Sequence, residues 1–291
     1  MNRTRSTTEP ARRGFTLVEL LVTIMIVLTL MALLGAAVSA ARTSQRKQAT
    51  QAMIARLDLI VRTQYETYAV RGVPDSVLTG ANKAAARGSY LRRLASAEMP
   101  DNWRDVETIA SGTSGVPTTA AQRAYVGIYQ SLKAANSSYP TGDYADAECL
   151  FMIVMQGGLV DCVDCGELKA SDKGDLDGDG AFEFLDSWGR PIRYVLWPAG
   201  LELPPGSGRY FTATAPFVTG TSPAATMRPL IFSGGPDQVN SLLVNGAGSL
   251  QLGSACGDPA NADVAQFGAR DTSGLDARAD NVTNFDTEAA K

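Results

Sequence analysis

The run Asp175–Asp186 has the residue types and spacing of a cation-binding loop. Asp175, Asp177, Asp179, Glu183 and Asp186 occupy positions 1, 3, 5, 9 and 12 of such a loop. Gly180 at position 6 supplies the sharp turn, and Ala181 at position 7 offers its backbone carbonyl. Calcium takes about six to eight oxygen ligands, and this stretch presents enough carboxylates on one tight curve to make calcium the expected cofactor. Asp186 stands where an EF-hand has Glu, so a single-oxygen contact and weaker binding are expected there. Trp188-Gly189-Arg190-Pro191 follows directly, which leaves no room for a flanking helix and argues against a paired EF-hand sensor. The plain alternative is a solvated Asp/Gly turn.

Other chemistry is sparse. The 291 residues include no histidine, which removes Ser-His-Asp and Cys-His nucleophile pairs, histidine base catalysis and zinc sites that need imidazole. No motif supports lysine- or carboxylate-based catalysis, so no enzyme is expected. Four cysteines remain, Cys149, Cys162, Cys165 and Cys256. Four thiolates can bind zinc and Cys162-x-x-Cys165 has redox spacing, but outside the cytoplasm structural disulfides are the expected fate. Pairing of Cys149 with Cys162 or Cys165 is favoured, because Gly157-Gly158 can fold one segment back on the other.

Glu19 is the remaining unusual residue. It lies in an apolar block that begins at Phe15, and the 22 residues Leu20–Ala41 carry no charge, a length that spans a bilayer as a helix. An acidic residue in such a helix costs about 2.5–3.5 kcal/mol at mid-bilayer and less near the interface, so it is functional by default. Arg3, Arg5, Arg12 and Arg13 precede the block against Glu9 alone. That asymmetry keeps the N-terminus cytoplasmic and sends the C-terminal bulk outward, although Arg42, Arg46 and Lys47 on the far side weaken it.

The run Arg12-Arg13-Gly14-Phe15-Thr16-Leu17-Val18-Glu19-Leu20-Leu21 resembles the prepilin cleavage and methylation motif of type IV pilins and type II secretion pseudopilins. The resemblance implies cleavage after Gly14, N-methylation of Phe15 and a role for Glu19 in assembly. It implies as partners a prepilin peptidase/N-methyltransferase, other pilin or pseudopilin subunits and an inner-membrane assembly platform. The physics agrees: an unpaired carboxylate favours leaving lipid if a neighbour's N-terminal amine neutralises it. Asp186-Ser187-Trp188-Gly189-Arg190-Pro191 further resembles the D-P-W-G-x-P stretch of major pseudopilins, with Ser187 in place of Pro. Phe232-Ser233-Gly234-Gly235-Pro236-Asp237 resembles their S-x-G-x-D segment, and in those proteins a calcium ion pins the C-terminal loops to the sheet. Two alternatives stand beside this reading. One is a calcium-binding protein that is merely anchored. The other is a twin-arginine signal at Arg12-Arg13 with cleavage after Val38-Ser39-Ala40, releasing a soluble periplasmic protein.

The elements that must position these residues follow from periodicity. Met53, Ile54, Leu57, Ile60, Val61 and Tyr65 form one amphipathic stripe, and Gly72-Val73-Pro74 is a helix stop. A helix from Phe15 to Arg71 would be about 85 Å long at 1.5 Å per residue. Helices are expected at Ala81–Glu98, Ala120–Ala135 and Tyr144–Met155, with a loop at Ser111–Thr119. Short strands are expected at Ile192–Trp197, Arg209–Thr214, Pro229–Phe232, Ser241–Val244 and Ser249–Leu252. Ala260–Lys291 reads as a polar loop or loose tail.

The organisation is therefore a leader over 1–14, a membrane and assembly segment over 15–41, an amphipathic half-helix over 42–72 and an extracytoplasmic domain over 73–291. The fold class is α+β, pilin-like, with a long N-terminal helix on a domain of short helices and an antiparallel sheet. The expected location is the bacterial inner membrane, single pass. A formal charge of −4 and a pI near 5.0 provide no basic field for nucleic acid.

Overall fold

The computed structural model describes residues 16–79, 82–136, 139, 144–156, 170–198, 228–236, 243–244, 250–251 and 282–285. The chain divides into two compact units, Met1–Gln45 and Arg46–Lys291.

In the first unit the described residues from Leu17 onward are all helical, the start of helix α1 (Leu17–Val70). Its leucines, valines, isoleucines and methionines from Leu17 to Leu34 are exposed. Among the described residues α1 is the one helix long and apolar enough to cross a membrane. Exposed apolar area on this scale is unfavourable in water, which fits burial in lipid or against other subunits.

The second unit is built on the rest of α1. Thr50, Ile54, Leu57, Val61, Gln64, Tyr65 and Tyr68 are buried, the i, i+3/i+4 spacing of one helix face. The helix ends at Val70, two residues before the expected Gly72-Val73-Pro74 stop. Helix α2 (Lys83–Glu98) starts behind Asn82, whose Oδ1 accepts from the Ala85 N–H at 3.0 Å. Helix α4 (Ala120–Ala135) has the expected bounds, set by a capping box between Thr119 and Gln122. Helix α5 (Ala145–Gln156) lies one residue from the expected position. Helix α3 (Trp103–Ala110) is an addition to the sequence reading. Its start was legible, because Asn102 caps the Asp105 N–H at 3.1 Å.

The strands are short. β1 (Lys173–Gly174) pairs antiparallel with β2 (Glu183–Phe184), closing a hairpin around the acidic run. β3 (Arg193–Val195), β4 (Leu230–Ser233) and β7 (Val282–Thr283) form an antiparallel sheet in the order β3-β4-β7. β5 (Leu243–Val244) pairs with β6 (Leu250–Gln251), as the sequence predicts. The expected strand Arg209–Thr214 lies outside the described residues.

One expectation is corrected. The segment Ala260–Lys291, read as a polar loop or tail, contributes β7 and the buried Asn284. Asn284 accepts from the Ile231 N–H at 3.1 Å and donates to Asp58 on α1 at 2.6 Å. Two residues of strand cannot show period-2 alternation, so sequence patterning has nothing to register there.

The core joins α1, α2, α3, α4, α5 and the β3-β4-β7 sheet through Leu57, Leu91, Tyr125, Leu150, Tyr194 and Ile231, among others. Two buried acids on helices are paired across it. Arg71 meets Glu98 at 2.5 Å and Arg193 meets Asp146 at 2.7 Å, which offsets part of the desolvation of both ions.

Candidate functional site

The β1-β2 hairpin positions the acidic run. Its loop curls around its own carboxylates. Asp175 accepts from the Gly178 and Gly180 N–H groups at 2.6 and 3.1 Å, Asp177 from Asp179 at 3.4 Å, and Asp179 from Ala181 at 2.9 Å. Gly180 has φ +100°, and a Cβ there would also lie 3.4 Å from Leu132 on α4. The positive φ makes glycine the favoured residue at this position. Glu183 Oε2 accepts from the Leu176 N–H at 3.2 Å.

Carboxylate oxygens of Asp175, Asp177 and Glu183 lie within 4.8 Å of one another. A second group, Glu148 with Asp177 and Asp179, meets the same limit. Thus four of the loop acids expected from the sequence converge, and Ala181 is buried beside them. Glu148 was not expected. It comes from α5, where the only signal is an acid set in the apolar run before Cys149-Leu150-Phe151.

Asp186 is held differently. It is not part of either group. Its Oδ1 accepts from the Trp188 and Arg190 N–H groups at 2.8 and 2.9 Å, and its Oδ2 accepts from the Ser233 hydroxyl at 2.6 Å. A side chain one methylene shorter than Glu favours this local turn, which brings the Asp186–Pro191 stretch and the segment beginning at Ser233 together. Cys149 is a buried thiol on α5, and the pairing expected of it falls on residues outside those described. Cys162, Cys165 and Cys256 lie outside the described residues.

Glu148 and Glu183 are both buried, at 2% and 0% exposure, and each has one oxygen, Oε1, with no hydrogen-bond partner. Burial pushes Glu148 up to about 8, against hydrogen bonds from Trp103 and Tyr139 that pull it down and Asp179 and Asp177 charges that add to the rise. Burial likewise lifts Glu183 to about 7, opposed by the Leu176 N–H and reinforced by Asp177, Asp175 and Asp179. Such a donor set, hard oxygens with excess negative charge and unsatisfied lone pairs, suits a hard divalent cation.

At the N-terminus, Gly14 and Phe15 lie outside the described residues. Glu19 is described, and it is not unpaired. Its Oε2 accepts from the Thr16 N–H and hydroxyl, both at 2.9 Å, while Thr16 Oγ1 accepts from the Glu19 N–H at 3.2 Å. This is a reciprocal capping box at the first turn of α1. It satisfies donors that a helix start in lipid leaves without partners.

Residues 10–35 match the family described as the prokaryotic N-terminal methylation motif. No curated protein and no solved structure matches the chain. The match takes in Gly14, Phe15, Glu19 and most of the exposed apolar stretch of α1. The chain therefore carries a prepilin-type N-terminal motif on an apolar helix that fits a membrane-anchored, pilin-like subunit.

Proposed function

We propose that this chain is a pseudopilin or minor pilin, a structural subunit of a type II secretion-like or type IV pilus-like filament. The observation that carries the reading is the methylation motif at residues 10–35 running directly into the exposed apolar face of α1. A prepilin peptidase/N-methyltransferase cuts after Gly14 and methylates Phe15. The first half of α1 holds the subunit in the inner membrane until neighbouring subunits and the assembly platform take it up. The domain from residue 46 onward stays on the extracytoplasmic side, with calcium in the hairpin loop held by Asp175, Asp177 and Glu183 and reinforcing the fold. The test is intact mass of the purified chain. A methylated start at Phe15, and an uncut 291-residue product from Gly14→Val, are the expected results; any other mature start overturns the reading.

A second reading is favoured by one contact. Because Thr16 already satisfies Glu19, the carboxylate has a local use that a non-polymerising, anchored calcium-binding protein would also need. Glu19→Gln separates the two, since glutamine keeps the capping box and loses the charge. A filament subunit carrying it accumulates unassembled in the inner membrane, whereas an anchor is unaffected.

A further inference from the structure

The hairpin loop is not the whole of the acidic site. Glu148 reaches it from α5 under an aromatic wall. Trp103 Nε1 and Tyr139 Oη both donate to Glu148 Oε2, the second at 3.1 Å, and the Trp103 and Tyr139 rings meet edge-on at 5.2 Å. Two donors on one oxygen suit an ionised carboxylate, which only accepts. The other oxygen, Oε1, is buried without a partner, a cost that a bound ligand would remove.

The contrast with other buried acids is informative. Glu98 and Asp146 also keep one oxygen unpartnered, but Arg71 and Arg193 neutralise them. Among the described residues Glu148 has no basic partner; what lies within 4.8 Å of its carboxylate is Asp177 and Asp179. Three carboxyl groups converging in a largely buried corner repel one another when ionised, and a bound cation relieves that repulsion.

We propose that Glu148, Asp177 and Asp179 form a second divalent-cation position, beside that of Asp175, Asp177 and Glu183 and sharing Asp177 with it. The inference rests on the reading of the hairpin as a cation-binding loop and adds a helix-borne position to it. Hard oxygen donors select calcium or a similar ion over zinc or copper. Asp177 can serve both positions because a carboxylate has two oxygens. The consequence is mechanical: the second ion ties α5 to the hairpin.

Terbium is a suitable probe, because it occupies calcium sites and emits when a nearby tryptophan is excited, and Trp103 touches Glu148. The full chain in detergent micelles is stripped with chelator, titrated with terbium and counted by elemental analysis. Two calcium-displaceable ions per wild-type chain are expected. Glu148→Gln should lose one ion together with the Trp103-sensitised emission. Trp103→Phe should lose that emission and keep both ions. Asp175→Asn should lose the loop ion and keep the sensitised emission. A wild-type count of one overturns the second position without any variant having to fold. So does a Glu148→Gln chain that still holds two. If the wild type binds no terbium, the cation reading of the hairpin fails with it. If Asp175→Asn binds none while Glu148→Gln binds one, the hairpin reading stands and the second position falls.

Discussion

The two halves of α1 use the same helical backbone for opposite purposes. From Leu17 to Leu34 its large apolar side chains are exposed and apolar residues occur on every face. From Thr50 to Tyr68 one face is buried and the remainder mixes charged and polar residues with a few apolar ones such as Leu59. The acids of the N-terminal segment and of the domain differ as well. Glu19 is exposed and hydrogen-bonded within its own turn, while Glu148 and Glu183 are buried with unsatisfied oxygens. An exposed group with a local partner is complete in the single chain, and a buried group without one calls for something else to be bound. The N-terminal half therefore offers an outward apolar surface, and the domain's acids offer inward oxygens for the proposed ion.

The sharpest contrast to probe is packing. Leu57→Ala, at a position 1% exposed, should lower domain stability by about 2–5 kcal/mol through lost burial and a residual cavity. Leu28→Ala, at 60% exposure, should leave the thermal midpoint of the domain unchanged. Thermal melts of both variants in micelles followed by near-UV circular dichroism would show it, and equal midpoints would mean the two halves are not distinct.

Next comes the pH dependence of the chelated chain. Burial raises Asp101 to about 6, Asp105 and Glu183 to about 7, and Glu148 to about 8. Each folded-state value lies above its unfolded one, so their contribution to stability is fully present below about pH 4 and is lost as pH rises through about 6 to 8. In chelator the melting temperature should fall over that window. With calcium the fall attributable to Glu148 and Glu183 should be suppressed, because bound cation favours the ionised carboxylates. A melting temperature that is flat with pH in chelator would contradict the buried, unneutralised state of these acids.

A smaller effect tests the reassignment of Asp186. Ser233→Ala removes a buried hydrogen bond to that carboxylate and should cost about 1.5–3 kcal/mol. Calcium affinity should not change. A matching loss of calcium binding, measured calorimetrically, would return Asp186 to the ligand set. The smallest effect belongs to the surface: Arg62→Ala breaks an exposed i,i+4 pair with Glu66 at 2.9 Å and should cost about 0.3–0.5 kcal/mol.

What could be read in the sequence tracks the range over which each signal acts. The apolar segment of α1, the amphipathic stripe, the Gly72-Val73-Pro74 stop and the helix Ala120–Ala135 are local patterns, and each lies at or close to where its residues place it. The converging loop acids are also local, since Asp175 to Glu183 lie in one hairpin. Glu148 and Asn284 were not legible because their partners are remote: α5 meets the hairpin, and β7 meets β4, only after the chain has folded. The surroundings of Asp186 were not legible for a subtler reason. Its spacing fits a twelfth loop position, but the Trp188-Gly189-Arg190 turn competes for both of its oxygens jointly with Ser233, and sequence spacing does not rank such competitors.

The bond from Asn284 to Asp58 spans 226 positions, and it gives the fold a direction in time. Synthesis delivers α1 first and β7 last, so a nascent chain carries Asp58 and the edge of β4 long before the residues that cover them exist. Contacts this distant in sequence close late, after local helices and hairpins have formed. A chain interrupted anywhere before Val282 keeps that edge open. Closure of the sheet therefore waits for β7, which acts as the latch of the β3-β4-β7 sheet and, through Asn284, of its tie to α1.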